Sequence, residues 1–420
     1  MSLHPYFQIR AGDSPITTVP PSYVQRFVHK SGLEQSTRID FTVIDPTYRE
    51  VEEQLILSDT GQQPIFSRFG YLDDAGNVSG HWVQSRLLNF VPRLTTQGME
   101  ITASTIIDIG DAHVRIETRV YSGKISDVVK QIAADLELEA EVEETDDDYN
   151  LSTVDENGGP KLWRVRNMTL PQFIKEKLRD EARSKTGKSN YEFFITGQRA
   201  IKKPILHFHT KEFPCFVRDK PAKEFTYLVG KQDEVLEFEP NYQSTILGNV
   251  GAGQLVMRAY DPITKQYTTK TQSILTNPDT VSIGDGAKTN AVPTTPDDPN
   301  SDLASQGVIM ARRDSIEASN AFARNRWEAL KAASLTASLE LVGLPYTADI
   351  EANDLLKVNV LVPNQPDASG PAYRVHWSSG VYHCVEAVHE IGQRYTVQCQ
   401  LQRSAVDLGN EPAPPARLTA

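Results

Sequence analysis

Residues 394–403 read Arg394-Tyr395-Thr396-Val397-Gln398-Cys399-Gln400-Leu401-Gln402-Arg403, and their alternation decides the fold class. Tyr395, Val397, Cys399 and Leu401 are apolar, whereas Thr396, Gln398, Gln400 and Gln402 are polar. Successive side chains of an extended chain point to opposite faces, so this is a strand with one buried and one wet face. The wet face is rich in amides and hydroxyls. It suits contact with another protein better than turnover of a substrate. All of 335–403 reads as a run of such strands. A helix over about 311–331, with Ile316, Ala323, Trp327 and Leu330 on one side, leads into it.

Upstream, β character spans 224–260, where Val235, Glu237 and Glu239 alternate with Leu236 and Phe238. Between 271 and 306 the chain is rich in Thr, Ser, Asn, Asp, Gly and Pro. Such a segment buries too little area to offset its ordering entropy and reads as a flexible polar loop. The tail 406–420 is expected to be disordered for the same reason. At the other end, residues 1–118 also read as β. Ile39, Phe41 and Val43 alternate with Arg38, Asp40 and Thr42; Val51, Glu53, Leu55 and Leu57 share one side of a candidate strand over 51–58; 81–90 and 99–109 follow a turn cluster at 73–77.

Between the two β parts the period changes. Ile125, Val128, Val129, Ile132 and Leu136 recur at helical spacing. A strand is expected over 162–165, and Thr169 is placed to cap a second helix carrying Leu170, Phe173, Ile174 and Leu178. Strands over 191–195 and 205–208 flank a turn at Gly197. The chain is therefore read as mainly β with an α+β insert: two tube-like antiparallel β-barrel domains, 1–118 and 223–270 with 307–405, around a small α+β domain, 119–222. No clear sequence repeat relates the two β parts.

The 420 residues suffice for two or three domains, and a hydrophobic content of 39% is ordinary for a globular chain. No window is apolar for long enough to span a membrane, and residues 1–12 lack a signal pattern, so synthesis and first folding are expected in the cytoplasm. A net charge of −12 argues against a nucleic-acid clamp, which needs a basic groove. Three cysteines, Cys215, Cys384 and Cys399, are too few for a disulfide framework or a four-thiolate zinc site. Cys384 and Cys399 flank the turn at Ile391-Gly392, where they either face each other across a hairpin or remain two buried free thiols.

No constellation specifies catalysis. His207-x-His209 sets two imidazoles on one strand face, with Cys215 the nearest further ligand; ordinary strand histidines are the favoured reading. Gly248, Gly251 and Gly253 lack the Lys-Ser/Thr ending of a phosphate loop and read as a bulge or turn. Glu143, Glu144, Asp146, Asp147 and Asp148 lack the glycine and spaced bidentate glutamate of a calcium hand, which leaves a solvated acidic loop. His376-Trp377-Ser378-Ser379-Gly380 is not a nucleophile elbow. No catalytic, cofactor-binding or metal-ligating residue is assigned, and no cofactor is expected.

The order of parts, together with three segments, resembles the baseplate hub proteins of contractile-tailed bacteriophages, the tail hub group that includes late control D-like proteins. The segments are Ser379-Gly380-Val381-Tyr382-His383-Cys384-Val385-Glu386-Ala387-Val388-His389-Glu390-Ile391-Gly392 followed by the closing strand 395–403, Ile125-Ser126-Asp127-Val128-Val129-Lys130-Gln131-Ile132-Ala133, and Val235-Leu236-Glu237-Phe238-Glu239-Pro240. Hub proteins commonly end in such a strand, a short turn and an alternating strand closing with Arg. The polar loop 271–306 departs from the family pattern, and neither a lysozyme-like appendage nor cell-wall digestion is expected.

The resemblance implies a non-enzymatic homotrimer in which each chain contributes two tube-like barrels, so that six modules form a ring. The implied partners are a central spike protein, a tail tube or tube-initiator protein, other baseplate proteins and the tape-measure protein. Genomic DNA would pass without specific binding, and this chain would not insert in a membrane. The implied location is the virion tail baseplate, assembled in the host cytoplasm. Two other functions compete: a peptidoglycan-binding tail protein with a LysM-like insert, and a cell-wall hydrolase.

Overall fold

The structure, a computed structural model, describes residues 5–12, 18–19, 21–33, 35–55, 64–71, 82–109, 115–146, 162–185, 191–196, 204–210, 213, 222–230, 233–242, 254–261, 266–273, 309–310, 335–364 and 372–403. It is mainly β with a small helical middle part, as the alternation predicts. The first β part holds β1 (Pro5–Ala11), β2 (Thr18–Val19), β3 (Val24–Gly32), β4 (Gln35–Asp45), β5 (Ile65–Tyr71), β6 (Val83–Thr95) and β7 (Gly98–Ile107). The middle part holds β8 (Glu117–Ser122), β9 (Glu139–Val142), β10 (Leu162–Met168), β11 (Tyr191–Thr196) and β12 (Ile205–Thr210). The second β part holds β13 (Lys223–Leu228), β14 (Val235–Tyr242), β18 (Leu335–Val342), β19 (Leu355–Pro363), β20 (Tyr373–Val375), β21 (Gly380–Ile391) and β22 (Tyr395–Arg403). A separate three-stranded sheet contains β15 (Gln254–Asp261), β16 (Gln266–Ser273) and β17 (Ile309–Met310).

The two β parts are one hydrogen-bonded surface. A 14-stranded sheet runs β14-β18-β22-β21-β3-β4-β7-β6-β5-β1-β2, with β19 branching from β21 and carrying β13 and β20. Each half curls on itself. In the first half, Phe7 on β1 stacks on Phe27 of β3 with ring centres 5.7 Å apart, although these strands lie near opposite ends of their sheet. In the second, Tyr227 on β13 and Phe238 on β14 approach to 6.4 Å.

The halves also share one strand order. The first runs β3-β4-β7-β6-β5-β1 and the second β14-β18-β22-β21-β19-β13. Numbered within its own half and leaving aside the short β2 and β20, each is second, third, sixth, fifth, fourth, first. Two of the irregularities match as well, although a further shift on β3, between Lys30 and Gly32, has no counterpart among the described residues of β14. β3 bulges between Val24 and Arg26 and β14 between Val235 and Glu237; β6 bulges between Leu87 and Asn89 and β21 between Cys384 and Glu386. A bulge occupies a defined place in a ladder, so paired bulges in step mark the same module built twice. One direction differs: β1 runs antiparallel to β5, whereas β13 runs parallel to β19.

Two expectations are corrected. Residues 51–58, expected as a strand, begin in a helix, α1 (Glu50–Leu55). The Asp45 carboxylate at the end of β4 accepts hydrogen bonds from the backbone N–H of Thr47 and Val51 at 2.8 Å each, and the Thr47 hydroxyl accepts from Glu50 N at 3.0 Å. Upstream capping outweighs a short alternation. The expected loop 271–306 starts too early, because β16 pairs with β15 as far as Ser273. The remainder of that loop, the expected helix 311–331, the tail 406–420, Cys215 and Gly248, Gly251 and Gly253 lie outside the described residues.

In the middle part, α2 (Ile125–Asp135) buries Ile125, Val128, Val129 and Ile132. Thr169 caps the helical run Leu170–Phe173, Ile174–Leu178 and Arg179–Glu181 in a reciprocal arrangement with Gln172, and Leu170, Phe173, Ile174 and Leu178 are buried. β8 pairs with β10; β11 and β12 pair antiparallel, with the expected turn at Gly197 outside the described residues, and β9 joins β12 in parallel. Every residue of β11 and β12 is buried, so both faces of this small sheet are covered.

Candidate functional site

The place where the two modules meet is where the fold concentrates its chemistry. β21 changes partner along its length: Gly380–His383 pair with β19, and Glu386–Ile391 pair with β3. The bulge lies at the changeover, where Leu33 N donates to Val385 O at 2.8 Å. On the wet face, Arg26 pairs with Glu390 at 2.7 Å and Lys30 with Glu386 at 2.9 Å. The strand from the first module is basic here and the strand from the second acidic.

On the inner face His389 is fully buried, its ring 4.9 Å from that of Phe69. Its Nε2 lies 2.7 Å from Ile350 O and its Nδ1 2.9 Å from the Tyr395 hydroxyl. A carbonyl only accepts, so the imidazole carries a proton on Nε2. Tyr71 donates to Gly343 O at 2.5 Å, and burial pushes its hydroxyl pKa up to about 12. Ala352 N donates to Ser31 Oγ at 3.1 Å. These bonds fix one module against the other.

The middle part docks beside this seam. β11 lies against β4, and Glu192 Oε1 is 3.7 Å from Nδ1 of His383 on β21. Register places Glu192 and Phe194 opposite His209 and His207, on one sheet face that also carries Glu141. His207 Nδ1 meets Glu141 Oε2 at 3.1 Å, its Nε2 meets the Thr196 hydroxyl at 3.0 Å, and its ring stacks on Phe194 at 4.4 Å. His209 Nδ1 lies 3.0 Å from Thr210 O. Each imidazole has a structural partner. Among the described residues no group of three His, Cys, Asp or Glu side chains is disposed to hold a metal ion.

The other constellations resolve as structural contacts. Glu143 accepts from Thr210 N at 2.7 Å, and Glu144 pairs with Lys185, which holds its carboxyl below the usual range. Asp147 and Asp148 are outside the described residues. His376 Nδ1 lies 2.7 Å from the Ser378 hydroxyl, and Ser379 Oγ accepts from Val360 N at 2.9 Å. Cys384 and Cys399 are buried free thiols. The β21 bulge sets them out of register, Cys399 opposite Ala387 and Cys384 opposite Leu401. Interaction with Cys399, then burial, raises the Cys384 pKa. Sequence reading missed His29, His389 and Glu192 as seam residues, because an alternating strand shows which face a side chain takes but not what lies across it.

No protein-family model and no curated protein matches the sequence. Solved structures do. A 43 kDa tail protein of prophage MuSo2 from Shewanella oneidensis aligns over 96% of this chain and 99% of its own at a TM-score of 0.54 and 11% identity. A tail protein from Neisseria meningitidis MC58 aligns over 96% and 98% at 0.55 and 10%. A chain of the Francisella PdpA–VgrG complex in its lidded state aligns over 98% of this chain and 54% of its own at 0.50 and 8%. The protein has the fold of phage tail proteins.

Proposed function

We propose that this chain is a structural, non-enzymatic hub of a contractile phage tail. Three copies form a ring that adapts the six-fold tail tube to a three-fold central spike and leaves a channel through which DNA is ejected. The observation that carries this reading is the duplicated module, with one strand order and matching bulges, joined edge to edge within a single chain. A trimer can offer six equivalent contacts only if each chain presents two equivalent surfaces. Residues 1–118 and, apart from the separate β15–β17 sheet, 223–270 with 307–405 are the two modules, and 119–222 is the insert. The partners are the spike, the tube or tube-initiator protein, neighbouring baseplate proteins and the tape-measure protein, and the site of action is the virion.

Co-expression with the tube and spike proteins tests the proposal. A ring of three chains bridging both partners in electron micrographs is expected. Rings of six chains, or spike and tube that do not co-purify with this chain, would sink it.

One observation favours a second reading, a wall-binding insert. On the β8–β10 ribbon Val120 and Leu162 are 59% and 49% exposed. Retention of the full chain on purified peptidoglycan, lost on Val120→Glu, would support that reading.

A further inference from the structure

Matching the two modules strand by strand exposes an unfilled place. Bulges and registers equate Phe27 with Phe238, His29 with Pro240 and Lys30 with Asn241 on the outer strands, and Val388 with Val91, His389 with Pro92, Glu390 with Arg93 and Ile391 with Leu94 on the partner-changing strands. Within the chain, β21 covers the edge of β3. The equivalent edges are open: among the described residues β14 pairs only with β18, and β6 beyond Ser85 pairs only with β7. Leu94 is 76% exposed, whereas its twin Ile391 is 2% exposed. A groove of about 570 Å³ across β14, β18 and β22 is lined by Thr336 to Ser338, Gln400 and, on β14, Phe238 to Asn241. Their twins in the first module, Phe27 to Lys30, are the residues that β21 covers.

We propose that β6 of one copy lies along β14 of the next, in the place β21 takes against β3 within the chain. This deepens the trimeric-hub reading and rests on it. The occupant is a second copy because its charges complement the site. The built seam joins Arg26 to Glu390. At the equivalent positions the signs are reversed, Glu237 on β14 and Arg93 on β6, both on exposed positions. Two first modules meeting this way would set Arg26 against Arg93, and two second modules Glu237 against Glu390. Only alternation of first and second modules pairs opposite charges all round, and like charges at such a joint act against wrong partners.

Leu94 would then cover Phe238, as Ile391 covers Phe27. Pro92 and Pro240 fall opposite each other, where His29 faces His389. Neither has an N–H to give, so the joint between copies relies on side chains, and the open edges resist indiscriminate strand addition.

Cysteine pairing tests the contact. Leu33 N bonding to Val385 O makes Gly32–Glu386 a non-hydrogen-bonded pair, and alternation makes Lys30–Val388 another. Its equivalent is Asn241–Val91, a spacing a disulfide spans. In the full chain with Cys215→Ser, the pair Val91→Cys and Asn241→Cys is expected to yield covalent trimers on oxidation, while either cysteine alone yields none. Arg93→Glu is expected to raise the concentration needed for half-assembly at least about tenfold, and adding Glu237→Arg to restore it. Trimers by light scattering without that cross-link, or assembly indifferent to Arg93→Glu, would overturn this contact and leave the hub reading standing. A chain that stays monomeric at every concentration and gives no cross-link would overturn both.

Discussion

Gly343 shows how one missing methyl group holds two modules together. A Cβ on it would sit 2.1 Å from the Tyr395 ring, while its N–H donates to Tyr395 O at 2.9 Å and its carbonyl accepts from Tyr71. Backbone and ring can approach this closely only at glycine. Gly343→Ala forces the ring out of a packed seam and is expected to cost about 2 kcal/mol. Urea unfolding measures this, and an unchanged midpoint would contradict the account. Nothing in the sequence around Gly343 announces the requirement, because Tyr395 and Tyr71 arrive from distant parts of the chain.

Among the elements, α1 is where local pattern and tertiary context disagreed. Burial pushes the Asp45 carboxyl up, but hydrogen bonds from the Thr47 side chain and from the N–H groups of Val51, Thr47 and Arg49 outweigh it, and the net pKa is below the ordinary 3.8. A carboxylate lowered on folding stabilises above its unfolded pKa, and that contribution is lost as pH falls through the folded value. Asp45→Asn is therefore expected to cost about 1 kcal/mol at neutral pH. The gap to the native chain should close as pH drops below 3.8, as urea midpoints across a pH series would show. A gap that persists undiminished in acid would show that the charge is not what matters. By contrast, α2 and the Thr169 cap were legible from residues alone, since both rest on contacts within a turn or two of chain.

At the scale of the molecule, the acidic balance acquires a use in the proposed ring. Three copies carry 36 excess negative charges, three times the −12 of one chain. Where such charge lines a channel it repels passing DNA within a Debye length, about 8 Å at physiological salt. The assembled protein is expected to leave the mobility of duplex DNA unchanged in gel-shift assays, at low salt as well as physiological. Retardation that fades steeply with added salt would indicate a basic lumen and count against the channel.

The residues alone determined the β class, the interruption by an α+β part and the faces of most strands, because periodicity is local and survives divergence. They also pointed to two like β parts, but the strand-by-strand match between them was hidden. Val24 and Phe27 share identity with Val235 and Phe238, but the twins of His389 and Ile391 are Pro92 and Leu94. Strand order and bulge position persist when side chains do not, since many apolar sets fill the same curled sheet. Which edges are covered, and which histidine meets which carboxylate, was decided only when strands far apart in the chain came to lie side by side.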